Sequence, residues 1–131
     1  MIGLDTNVLV RYIMQDDAKQ SPKAIRLVES LTVDAPGFVS LVAVVELGWV
    51  LSSSYALTRT QVAQASEALL QTKEIMIDHA DQVLKAVRVF KGSSADFADC
   101  LIERISNTAG CDRTMTFDVG AAKAAGMTLI H

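Results

Sequence analysis

Short apolar runs with no polar alternation recur along this chain, and most are followed by longer stretches whose apolar residues have helical spacing. Ile2-Gly3-Leu4, Phe38-Val39, Ile75-Met76-Ile77 and Leu129-Ile130 are such runs, and Thr114-Met115-Thr116-Phe117 is a further strand candidate, the fourth in chain order. A strand without alternation is covered on both faces, which is the situation of a parallel sheet between helices. The intervening segments carry helical signals. Val8 to Ile13 is too apolar for a surface loop. Ser21-Pro22 predicts an N-cap and a first helical residue, ahead of Ala24, Ile25, Leu27, Val28 and Leu31. Ser40 precedes Val42, Val45, Trp49 and Val50, and Thr58 precedes Val62, Ala65, Leu69 and Leu70. Asp81 opens a helix through Phe90 that ends near Gly92, and Ser94 or Asp96 opens one that stops at Gly110. The order of elements predicts a layered α/β fold on a mostly parallel sheet of about five strands.

With 131 residues and no linker, repeat or low-complexity segment, the chain reads as one domain, 1–131. Half of it is hydrophobic, which excludes a disordered tail. A formal charge of −3 argues against a protein that coats nucleic acid broadly. It does not exclude a nucleic-acid enzyme, because a few carboxylates at one site can set the sign. Cys100 and Cys111 form no CxxC pair and no zinc spacing, so a reduced chain with one core thiol and one loop thiol is expected. The N-terminus lacks a basic region and meets Asp5 early, unlike a signal peptide. The apolar run from Phe38 to Leu51 is broken by Ser40, Glu46 and Gly48 and is too short for a bilayer. The expectation is a cytoplasmic protein with no membrane segment.

Most acids fall in polar context, but four do not. Asp5 follows the first strand and Asp118 the fourth. Glu46 is embedded in an apolar helix, and Asp99 lies beside Phe97, Leu101 and Ile102. Ligands of open parallel sheets bind beyond the carboxyl ends of strands, where Asp5 and Asp118 sit; if their strands are neighbours, the two carboxylates meet. Gathered carboxylates repel unless a cation neutralises them. No Lys or Arg lies next to Asp5 or Glu46 in sequence, so a hard divalent cation, Mg²⁺ or Mn²⁺, is the natural partner. Taken singly, Asp5 or Asp118 reads as a helix N-cap and Glu46 as a surface position. Four such acids in one small fold favour the functional reading.

Asp5-Thr6-Asn7-Val8-Leu9, Glu46-Leu47, Asp96-Phe97-Ala98-Asp99-Cys100-Leu101-Ile102 and Thr116-Phe117-Asp118 together resemble the PIN-domain nuclease pattern, in order and along almost the whole chain. Within that family the chain is most similar to VapC-type toxins of bacterial toxin–antitoxin pairs. The resemblance implies a three-layer α/β/α PIN-like fold and a metal-dependent endoribonuclease. Asp5, Glu46, Asp99 and Asp118 would hold one or two Mg²⁺ or Mn²⁺ ions, and a metal-activated water would hydrolyse the RNA phosphodiester. Thr6, Asn7 and Thr116 would orient carboxylates or water. Asp96, one helical turn before Asp99, either shares the site or only caps its helix. Glu103 reads as solvated. Arg11, which follows the first motif closely, is the leading candidate for contact with RNA phosphate. The resemblance also implies a cognate antitoxin and a homodimer, formed through the helix from Ser21 to Thr32 or the one from Thr58 to Gln71.

Two other readings are open. A haloacid-dehalogenase-like phosphatase also places Asp after its first strand, but Asn7 stands where its second Asp would be. A catalytically silent PIN-like module that binds RNA or protein would not need the full acid set. Setting the four acids aside leaves the rest of the chain close to neutral. RNA would then be recognised by shape and metal-anchored phosphate.

Overall fold

The apolar runs of the first part of the chain become three short parallel strands, β1 (Ile2–Gly3), β2 (Gly37–Val39) and β3 (Ile75–Ile77), in a computed structural model that describes all 131 residues. The chain divides into two compact units, Met1–Asp78 and His79–His131. In the first unit the sheet order is β1-β2-β3, with Ile2 opposite Gly37 and Gly37 opposite Ile75. Pairing runs past the strand ends: Leu4 N donates to Phe38 O at 2.8 Å and Asp78 N to Val39 O at 2.9 Å. Asp5 therefore leaves the sheet directly at its carboxyl edge. Gly37 is closely packed: a Cβ there would lie 2.8 Å from Leu4 Cδ1 and 3.0 Å from Leu31 Cδ1, so these side chains would have to shift.

Four helices complete this unit: α1 (Thr6–Met14), α2 (Gln20–Glu29), α3 (Leu41–Ser53) and α4 (Arg59–Leu70). Leu9, Val39, Leu51 and Val62 are its most deeply buried large side chains. Ser40 caps α3 by accepting from Ala43 N at 3.1 Å. Thr58 and Gln61 form a reciprocal capping box on α4.

The start of α2 differs from the sequence expectation. The helix begins at Gln20, and Ser21 is buried within its first turn. Asp17 does the capping, accepting from Lys19 N at 3.0 Å and Gln20 N at 2.7 Å. These two bonds hold its carboxyl below the ordinary carboxylate range. A charged acceptor makes the stronger bond to an amide, and Ser21 Oγ instead accepts from Asp17 N.

Two other expectations are corrected by exposure. Ile2 is exposed, because β1 is an edge strand of two residues. Val42 and Trp49, read as part of the apolar face of α3, are 71% and 68% exposed. The buried stripe is Ala43, Val44, Leu47, Gly48 and Leu51. Apolar residues surround most of this helix, so periodicity does not select the inward face.

The second unit contains α5 (Ala80–Lys91), α6 (Phe97–Thr108), β4 (Met115–Thr116), α7 (Val119–Ala124) and β5 (Thr128–Leu129). The core here is Val83, Ala86, Val87 and Phe90 with Phe97, Cys100 and Leu101. The Phe90 and Phe97 rings meet edge to face at 5.5 Å. Cys100 is buried and Cys111 exposed, as expected. Strands β4 and β5 pair in parallel, with Thr116 opposite Leu129. The class is α/β with parallel strands throughout, as the sequence predicts. The five strands, each only two or three residues long, fall into a three-stranded and a two-stranded sheet. No helix is long and apolar enough to cross a membrane.

Candidate metal centre

In the first unit, Asp5 is extended and caps α1, its Oδ1 accepting from Thr6 N at 2.8 Å. Thr6 is buried, and its hydroxyl donates to Glu46 Oε1 on α3 at 2.8 Å. A hydroxyl one residue after Asp5 thus fixes a carboxylate that lies far off in sequence. Asp5, Thr6, Asn7, Arg11, Glu46 and Tyr55 line one open cleft of about 490 Å³. Asp5 and Glu46 are both exposed to solvent.

Arg11 enters this cleft even though no base adjoins Asp5 or Glu46 in sequence. It makes no ion pair with either. Its Nε donates to Gln20 Oε1 at 2.8 Å, and its Nη1 lies 3.4 Å from Asp16 Oδ1 and 3.3 Å from Tyr55 Oη. Tyr55 Oη donates to Asp16 Oδ2 at 2.9 Å, which raises the phenol above its ordinary range. In sequence Asp16 reads only as a solvated surface acid, and nothing there joins it or Tyr55 to Arg11. Asp16 sits in a polar break and Tyr55 in a loop between helices, and no spacing rule joins them.

In the second unit, Asp96 caps α6, its Oδ1 accepting from Asp99 N at 3.1 Å. Asp99 is half-buried in the first turn of that helix. Asp118 follows β4 and caps α7, accepting from Gly120 N at 2.7 Å and Ala121 N at 3.3 Å. Its own N–H donates to Thr116 Oγ1 at 3.0 Å, so Thr116 positions the turn that presents Asp118. Burial pushes the Asp99 carboxyl up, and the charges of Asp96 and Asp118 push it further. Glu103, expected to be solvated, is largely covered and paired with the neighbouring Arg104, whose Nη2 donates to Oε1 at 2.7 Å.

Capping and a second role coexist in these residues. Asp5 and Asp118 cap through Oδ1, and no hydrogen bond engages Oδ2 of either. Within neither unit are three or more His, Cys, Asp or Glu side chains gathered closely enough to hold a metal ion by themselves. The donors offered are carboxylate and hydroxyl oxygens without thiolate or imidazole, a set that suits hard Mg²⁺ or Mn²⁺.

A family model described as "PIN domain" matches residues 2–127, a span that runs through both units. No curated protein matches the chain.

Proposed function

The chain belongs to the PIN-domain family, and from that premise we propose that it is a metal-dependent endoribonuclease, the toxin of a toxin–antitoxin pair acting in the cytoplasm. Members of this family are typically metal-dependent nucleases. The match across both units supports reading 1–131 as one nuclease domain. The observation that carries the proposal is the pair Asp5 and Glu46 at an open cleft, joined through the buried Thr6, whose backbone N–H donates to Asp5 and whose hydroxyl donates to Glu46. Neither carboxylate has a basic partner, although Arg11 lines the same cleft.

In this reading Asp5, Glu46, Asp99 and Asp118 are the acidic ligands of one or two Mg²⁺ or Mn²⁺ ions. Asp96 is a further acid that acts on Asp99 through its charge. When bound, a divalent cation supplies Lewis-acid polarisation of the phosphate and a more acidic attacking water. The protein's part is positional. Asp5 and Asp118 hold their carboxylates at fixed helix starts, and Thr6 fixes one oxygen of Glu46. Thr116 holds the turn before α7, and Asn7 offers an amide at the cleft wall. A carboxylate of the set accepts the proton released as water attacks phosphorus. Arg11 meets an RNA phosphate at the edge of the cleft. The antitoxin and a second copy of the chain are its protein partners, and the outward Val42 and Trp49 of α3 are apolar surface available for such contact.

The test is cleavage of RNA by the pure protein. Cleavage is expected with Mg²⁺ or Mn²⁺, is lost in EDTA, and returns with excess Mn²⁺. Cleavage at full rate in EDTA would overturn the assignment. Thr6→Val keeps the side-chain shape and removes the donor to Glu46. Partners that orient metal ligands typically contribute about 10–100-fold, so a rate loss of that size is expected with an unchanged circular dichroism spectrum. An unaltered rate would mean that Glu46 needs no orientation.

A further inference from the structure

A second cleft, of about 270 Å³, opens between α1 and α2 and is lined by Asn7, Val8, Arg11, Gln20, Lys23, Ala24 and Leu27. Its character is opposite to that of the acidic cleft. It contains no carboxylate and two cations. Lys23 is exposed and forms no hydrogen bond or ion pair. Arg11 is held by Gln20, Asp16 and Tyr55 in a fixed geometry. Val8, Ala24 and Leu27 give the cleft an apolar lining.

The two clefts adjoin. Asn7 and Arg11, neighbours one turn apart on α1, line both of them. A ligand that runs from one to the other passes from a carboxylate pair to a cationic, apolar recess within the length of a helical turn. An RNA strand has the matching alternation, a phosphate on each nucleotide and a flat apolar base beside it.

We infer that the α1–α2 cleft is a nucleotide subsite, which takes the unpaired RNA residue next to the bond being cut. Its phosphate contacts Arg11 and Lys23, and its sugar and base lie against Val8, Ala24 and Leu27. The recess is small for a drug-sized ligand, and an unpaired residue of an RNA strand can splay its base into it. This inference rests on the ribonuclease reading, but it assigns Lys23 a role that metal binding does not require.

The experiment measures binding of a fluorescent single-stranded RNA oligonucleotide, in Mg²⁺ buffer, to protein carrying Asp5→Asn so that no cleavage intervenes. Adding Lys23→Glu is expected to weaken binding roughly tenfold, while Lys23→Arg preserves it. Lys23→Gln should lower the slope of log K against log salt by about 0.7, the loss of one phosphate contact on a single strand. Unchanged RNA binding by Lys23→Glu overturns the subsite and leaves the cleft to an acidic protein segment. In that case, intact metal-dependent cleavage by the parent keeps the nuclease reading. A parent that neither binds nor cleaves RNA overturns both.

Discussion

Asp5→Asn is expected to lower metal-dependent RNA cleavage by about a thousandfold or more while leaving the protein folded. The two halves of this result have separate causes. Asn is as good an N-cap as Asp, and its Oδ1 can still accept from Thr6 N, the bond that starts α1. The helix that carries Thr6, and through it the hydrogen bond to Glu46, therefore stays in place. What disappears is the negative charge, and with it most of the affinity for a hard cation and the capacity to take up a proton. Proton transfer by a positioned group alone contributes about 10²–10⁴-fold. Asp5→Ala makes the contrast: it removes charge and cap together, and should cost about 1 kcal/mol of stability besides. Cleavage rates and thermal melts of the two variants check the argument. Asp5→Asn protein that cleaves RNA at the parental rate would remove Asp5 from the ligand set.

The fold was legible where one physical signal dominated. Ile75-Met76-Ile77 became β3 residue for residue, because a short β-branched run between polar stretches has few alternatives. The caps at Ser40 and Thr58 were equally plain. Legibility failed where two signals competed. Ser21-Pro22 looks like a helix start, yet the carboxylate of Asp17 captures the free amides. In α3 the apolar residues are so numerous that the buried stripe had to be decided by packing, and Trp49 was left outside.

The acids divide in the same way. Asp5 and Asp118 could be seen as residues that end strands, and both do cap the next helix. The link from Thr6 to Glu46 spans a sequence distance that no local periodicity encodes; the family pattern implied only that Thr6 orients a carboxylate or water, without saying which. Arg11 was picked out because it closely follows the first motif. Its partners Asp16 and Tyr55 were invisible, since contacts between a long side chain and a distant loop leave no trace in spacing.

Asp99→Asn is expected to abolish activity and yet to raise the melting temperature of the metal-free protein. Asp99 is partly desolvated and feels the charges of Asp96 and Asp118, and its carboxyl is raised for those reasons in that order. Its place in the first turn of α6 favours an anion through the helix dipole, but the upward direction of the shift means that this benefit is outweighed. A neutral amide of the same shape keeps the packing and the backbone bond from Asp99 N to Asp96 Oδ1, while the like-charge repulsion is relieved. Such strain is what a site built for a cation carries when no cation offsets it. Metal linkage then separates the variant from the parent. At a metal concentration one hundred times the dissociation constant, binding to the native state alone stabilises a protein by about 2.7 kcal/mol. The parent should gain an increment of this order with Mn²⁺, and Asp99→Asn much less. Because partners of metal ligands already contribute about 10–100-fold, loss of a ligand itself should reduce cleavage by more than about 100-fold. Melting curves of both proteins in EDTA and in Mn²⁺, with RNA cleavage alongside, give the comparison. A lower melting temperature for Asp99→Asn in EDTA would refute the like-charge argument, and an undiminished Mn²⁺ increment would remove Asp99 from the metal.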